Sequence, residues 1–264
     1  YMKKQSARVG QGGFTLVEMA VVLVIIGLIL GAVSIGKDVQ RNAEYTKIKQ
    51  KFIDQWSIAY NTYDQRTGVV PGDSQIQPRL MVNGANYTAA GSLPISGGDM
   101  SGVTPPNAIC HGGAGQKMAR GAQATQTTDD FDLRLMMQRA GVRMPPGRAE
   151  GSEDRYVYLD SNGNPQEVQV CFQWNAPDDP AGAGNVMVIS GLTPDLARSL
   201  DQMIDGKPDA REGLFRQEGV TNDTSGAPGT QWALTNTAQY NGSATSNLDE
   251  NQIDVVVANL KMNQ

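Results

Sequence analysis

The stretch GQGGFTLVEMAVVLVIIGLILGAV, residues 10–33, decides how this chain is organised. From Met19 to Ile35 there are seventeen residues without a charge, and Phe14 to Gly36 contains a single one, Glu18. That run meets the roughly 20 residues a helix needs to cross a hydrocarbon core. A carboxylate inside it costs about 2.5–3.5 kcal/mol even on lenient insertion scales, so Glu18 marks a function and requires a partner. Ahead of it, residues 1–13 carry Lys3, Lys4 and Arg8 and no acid. This predicts that they stay on the cytoplasmic side while the C-terminal body is exported.

Beyond the apolar run the helical pattern continues and changes character. Residues 37–66, KDVQRNAEYTKIKQKFIDQWSIAYNTYDQR, contain no Gly or Pro, and Ile48, Phe52, Trp56, Ala59 and Tyr63 recur at intervals of four and three. That is the stripe of an amphipathic helix, and Gly68 with Pro71 ends it. Residues 14–66 are thus predicted as one helix about 80 Å long at 1.5 Å per residue, apolar all round in its first half and striped in its second. The stripe needs a soluble domain to lie against.

The remaining sequence reads as that domain. Residues 68–127 are rich in Gly, Pro, Ser and Asn and show no sustained period, which predicts a long connection. A helix follows in TTDDFDLRLMMQRAG, capped by Thr128, with Asp129, Asp130 and Asp132 at its positive end and Gly141 and Pro145 closing it. RYVYLDSNGNPQEVQVCFQW reads as a hairpin with Asn162-Gly163 in the turn, Val168, Val170, Phe172 and Trp174 on one face and Cys171 on the other. NVMVIS predicts a third strand, and Thr193 with Pro194 opens a short helix to Ile204. GLFR and IDVVVANL predict the last two strands, separated by the polar tract 219–250. One long helix, two short ones and about five antiparallel strands make an α+β arrangement.

Charge and composition exclude some functions. The formal net charge is −5 at pH 7. Because Lys3, Lys4 and Arg8 lie in the first thirteen residues, residues 14–264 carry −8. A body that acidic argues against non-specific binding to nucleic acid or to anionic lipid. The two cysteines, Cys110 and Cys171, both fall on the exported side. A bond between them would close a loop of about 60 residues, worth roughly 4 kcal/mol on the chain-entropy model; the alternative is two buried free thiols.

The most specific signal is the start of the helix: a short basic leader, the small residue Gly13, the aromatic Phe14, and Glu18 one turn later, all ahead of the apolar run. This resembles the class III signal of type IV pilins and of the related pseudopilins of type II secretion. VVPGDS, FDLRLMMQRAG and LTPDLARSLDQMIDGKPDAREGLFR also look like segments of the larger pilin-like proteins. The resemblance implies a pilin fold, the long helix packed on an antiparallel head. It implies that a prepilin peptidase cuts between Gly13 and Phe14 and methylates the new amino group of Phe14. It also implies that the mature chain polymerises, with Glu18 and the Phe14 amine of a neighbouring subunit as the assembly contact. Many pilins carry a proline near the position of Ile35; here Gly31, Ser34 and Gly36 stand nearby instead.

Physical chemistry makes that partner credible. A new α-ammonium has a reference pKa of about 7.7–8.0. In the bilayer Glu18 lies about 6 Å of helix rise from the terminus and can reach toward headgroups. Inside a filament a neighbour's amine at about 4 Å is worth roughly 4 kcal/mol at an effective dielectric of 20, before desolvation.

Competing readings of single residues are weaker. Ala32-Val33-Ser34 is a tolerable secretory cleavage site, but Glu18 and the uninterrupted helix beyond it argue against one. His111 is the only histidine, set in a Gly-rich loop with no G-x-S-x-G elbow, and reads as solvated, so no enzyme is expected. Asp160, Asn162 and Asn164 have calcium-loop spacing, yet Pro165 replaces the required Gly and Cys171 the closing Glu. Asp201, Asp205 and Asp209 read as solvated acids at a helix end rather than a metal site. Tyr45, Phe52, Trp56, Tyr60 and Tyr63 read as core.

The expected organisation is a cleaved leader over 1–13, a membrane and polymerisation segment over 14–36, an amphipathic half over 37–67 and a globular head over 68–264. The expected function is a prepilin that sits in the bacterial inner membrane, contacting lipid, and is then assembled into a surface filament. Its partners are the prepilin peptidase, an inner-membrane assembly platform and further copies of itself, with no cofactor. The alternatives are a type II secretion pseudopilin, or a minor pilin whose segments 68–127 and 219–250 display an adhesive surface.

Overall fold

The computed structural model describes residues 13–87, 100, 103, 105, 106, 108, 109, 132–220, 231, 232 and 255–262. The chain divides into two compact units, 1–43 and 44–264.

In the first unit, helix α1 (Leu16–Ile48) begins, and it runs without a break through Gly31, Ser34 and Gly36. Its apolar side chains are uncovered: Leu23 is 70% exposed and Ile35 68%. By length and composition this helix can cross a membrane.

The second unit contains the core. After Ile48 the backbone passes through one π-helical turn, Lys49–Ile53, in which the Asp54 N–H donates to the Lys49 carbonyl. It then continues as α2 (Asp54–Thr67), stopped by Gly68 in the left-handed region at φ 75°. The extra residue of the wide turn brings both Phe52 and Ile53 into full burial, with Tyr45, Ile48, Trp56, Ala59 and Tyr60. The stripe is therefore wider than the predicted one, and Tyr63 only flanks the core.

The sheet carries the predicted strands: β1 (Arg155–Leu159), β2 (Pro165–Asn175), β3 (Gly184–Leu192), β4 (Phe215–Gln217) and β5 (Val256–Lys261), in the order β1-β2-β3-β5-β4, every pair antiparallel. The β1–β2 turn is closed by Gly163 at φ 85° and by the Asp160 side chain, which accepts from the Asn162 and Asn164 N–H groups at 2.8 Å. Alternation sorts β2 as expected. Val168, Val170, Phe172 and Trp174 join the main core, and Cys171 packs with Val186 and Val188 on the other face. Rings join helix to sheet: Phe52 meets Tyr156 at 5.4 Å, and Phe172 meets Trp56 at 6.2 Å and Tyr60 at 5.1 Å.

Two short helices complete the described head. In α3 (Leu133–Arg139) the N-cap is Asp132, whose carboxylate accepts from the Arg134 N–H at 2.8 Å; Thr128, the expected cap, lies outside the described residues. Helix α4 (Pro194–Ile204) starts with Pro194 at its first position and buries Leu196, Ala197 and Leu200.

Candidate functional site at the head of the first helix

Gly13 and Phe14 precede the helix outside any regular element, and Phe14 is 78% exposed. A Cβ added at Gly13 would meet nothing within 4 Å. No packing inside this chain therefore demands a glycine there.

Thr15 and Glu18 form a capping box. Thr15 occupies the N-cap position; its backbone N–H and its hydroxyl donate to Glu18 Oε2 at 2.7 and 2.8 Å, and the Glu18 N–H donates back to Thr15 Oγ1 at 3.3 Å. The acid also sits in the first turn, at the positive end of the helix dipole. Before any second molecule is considered, Glu18 therefore has a partner in its own chain. The signal was present as T-L-V-E, the S/T-x-x-E pattern directly ahead of an apolar run. The site thus consists of an uncovered aromatic, a small residue before it, and a carboxylate one turn inside an unclad apolar helix.

Residues 8–34 match the family described as the prokaryotic N-terminal methylation motif. This is the class III signal of type IV pilins. The match supports a type IV pilin-like or pseudopilin precursor and points to a structural subunit. With the apolar helix, it fits a membrane-anchored precursor. It begins at residue 8, runs into the first part of the helix and covers none of the residues from 35 onward. No curated protein and no solved structure matches the chain.

The other singled-out residues lie apart. Cys110 and His111 lie outside the described residues. Cys171 is fully buried, its sulfur 3.0 Å from the Ile109 carbonyl oxygen, and Ile109 pairs with Phe172 as an isolated antiparallel bridge. Asp160 is occupied by its own turn. Slight burial opposes ionisation, but hydrogen bonds from Asn164, Asn162 and Gln166 outweigh it and lower the carboxyl pKa. Among the described residues no group of acids, histidines or cysteines is arranged to hold a metal.

One expectation is corrected. Asp201 is not a solvated acid at a helix end but is wholly buried, with Oδ2 accepting from Trp232 Nε1 at 2.7 Å and from the Asp209 N–H at 2.6 Å. Asp209 is buried too, at 3% exposure. The sequence pattern missed this because the indole that covers Asp201 comes from 31 residues downstream.

A further contact had no sequence signal. Tyr45 donates to Asp195 Oδ2 at 2.5 Å, joining the end of α1 to the first turn of α4.

Proposed function

We propose that the chain is a prepilin. Residues 1–13 are its leader, 14–36 its membrane and polymerisation segment, 37–67 the amphipathic half of its helix and 68–264 its head. A prepilin peptidase cleaves between Gly13 and Phe14 and methylates the Phe14 amine. The precursor waits in the inner membrane among lipids, and an assembly platform feeds mature copies into a surface filament. The methylation motif across residues 8–34 carries this reading.

Glu18 has successive roles in this account. In the membrane, the capping box with Thr15 satisfies the carboxylate locally. In the filament, the same carboxylate faces the ammonium of a neighbour's Phe14, a pair whose loss leaves a buried charge unmatched at a cost of about 3–5 kcal/mol.

Cys110 and Cys171 form a disulfide that holds the connecting segment on the sheet. The bridge between Ile109 and Phe172 supports this, because it pairs the residue before Cys110 with the residue after Cys171.

Mass spectrometry of the surface-located protein tests the processing: the expected N-terminus is Phe14 with one methyl group, and a first residue at Ile35 indicates secretory cleavage instead. Glu18→Val and Glu18→Gln then divide the two roles of the carboxylate. Glutamine keeps the capping box, and both variants lose the charge. Both should leave processed protein in the membrane with few sheared filaments by immunoblot. Normal filament yield from Glu18→Gln would reduce Glu18 to a helix cap.

A further inference from the structure

The Asp201–Asp205 pair stands outside the proposed assembly role. Asp201 is fully buried, and the N–H groups that reach it converge on one oxygen, Oδ2, from Trp232 and Asp209. Oδ1 is buried with no hydrogen-bond partner. One helical turn on, Asp205 is held from outside the helix: both of its oxygens accept from the Leu214 N–H, and Oδ2 also accepts from the Phe215 N–H at 3.0 Å. The backbone closes around it at Gly213, φ 91°, where a Cβ would lie 2.3 Å from Oδ2. Phe215 in turn packs on the Trp232 ring at 5.1 Å. Asp201 is thus enclosed beneath an indole, with the half-buried Asp205 one helical turn on.

Among the described residues, no cation neutralises Asp201. Asp205 caps the C-terminus of the helix that carries Asp201. Asp209 faces it from the following loop, with Lys207 Nζ 3.9 Å from Asp209 Oδ2 and the Arg211 N–H on Oδ1. Leu214 and Phe215 bring only backbone donors, and the Trp232 indole is neutral. Among the described residues no lysine, arginine or histidine forms an ion pair with Asp201 or Asp205. A buried carboxylate with one orphaned oxygen is the arrangement that takes up a proton, since burial without a partner disfavours the charged form.

We propose that Asp201 acts as a pH-sensitive latch on Trp232: a proton held on its buried Oδ1 keeps the site closed, and loss of that proton loosens the indole. Burial, with Asp205 adding to it and the Trp232 and Asp209 hydrogen bonds opposing, pushes the Asp201 pKa up to about 7. A carboxyl raised on closing gives a hold that is complete below the ordinary carboxylate range and is lost as pH rises through about 7.

The test is the exchange rate of the Trp232 indole N–H between pH 4 and 8, measured on the full chain in detergent with EDTA. The opening constant of the wild type should rise by up to about tenfold per pH unit from about pH 4 and level off near pH 7. In Asp201→Asn the amide keeps a carbonyl for the Trp232 and Asp209 N–H groups and stays uncharged, which imitates the protonated latch. Its opening constant should be flat with pH and no larger than that of wild type at pH 8. Asp205→Asn should move the wild-type release to lower pH. A wild-type pH slope retained in Asp201→Asn, or a pH dependence that appears only when calcium replaces EDTA, overturns the proposal.

Discussion

Residues 16–40 and residues 45–60 are both helical and both rich in apolar side chains, yet they differ in what covers them. In the first stretch Leu16, Leu23, Leu28 and Ile35 are each at least 68% exposed. In the second, Tyr45, Ile48, Phe52, Ile53, Trp56, Ala59 and Tyr60 are at most 2% exposed. Burying one large apolar side chain contributes about 1.5–3 kcal/mol. The second stretch collects that contribution inside the chain. The first can collect it only from something outside the described residues, because an uncovered apolar surface of this extent marks an interaction site. One helix thus divides into a part that specifies the head and a part that specifies its company.

Substitutions in the two stretches should therefore register in different assays. The largest effect on head stability belongs to Phe172→Ala, which removes the ring between Trp56 and Tyr60. It should destabilise the chain by about 3–5 kcal/mol in urea unfolding monitored in detergent. A shift below about 1 kcal/mol would mean that this junction is not the centre of the core. Next comes Cys110→Ser, expected to cost about 2–4 kcal/mol; equal unfolding midpoints for the wild type with and without reductant would rule the bond out. Tyr45→Phe is expected to cost about 1.5 kcal/mol at pH 7, since it deletes a hydrogen bond to a carboxylate that keeps other donors. Burial opposes ionisation of Asp195, but hydrogen bonds, that of Tyr45 among them, outweigh it and lower its pKa. That stabilisation is present above the ordinary carboxylate range and is lost as pH falls through the lowered value, so the Tyr45→Phe deficit should shrink in acid. The smallest effect on the head is that of Leu23→Ala, under about 0.5 kcal/mol. Sheared filament yield should nonetheless fall. A marked loss of head stability from Leu23→Ala would collapse the distinction between the two stretches.

Much of the head could be read ahead of the structure because its signals are local. Asn162-Gly163 marks a turn that needs a positive φ, alternation sorts β2 into faces, and Thr193-Pro194 marks the start of α4. The π-helical turn was hidden because a slip of one residue leaves the spacings on either side of it helical. Only the joint burial of the neighbours Phe52 and Ile53 reveals it. Asp201 was misread because charge predicts solvent unless something far along the chain covers it, and Trp232 does. The capping box is legible in T-L-V-E, because an S/T-x-x-E pattern directly ahead of an apolar run marks a helix start.

The wide turn at Lys49–Ile53 has a consequence for how this chain tolerates changes in length. Removing one of its residues would restore ordinary helical winding and leave Tyr45 and Ile48 on the face that carries Trp56 and Tyr60, because the turn already absorbs the extra residue. Removing a residue elsewhere in α2 would instead rotate the parts on either side by about 100°. No single replacement of one side chain by another undoes such a rotation. The turn is therefore the one place in this stretch of helix where a residue can be lost without turning the buried face, and its neighbours are free to vary in kind but not in number.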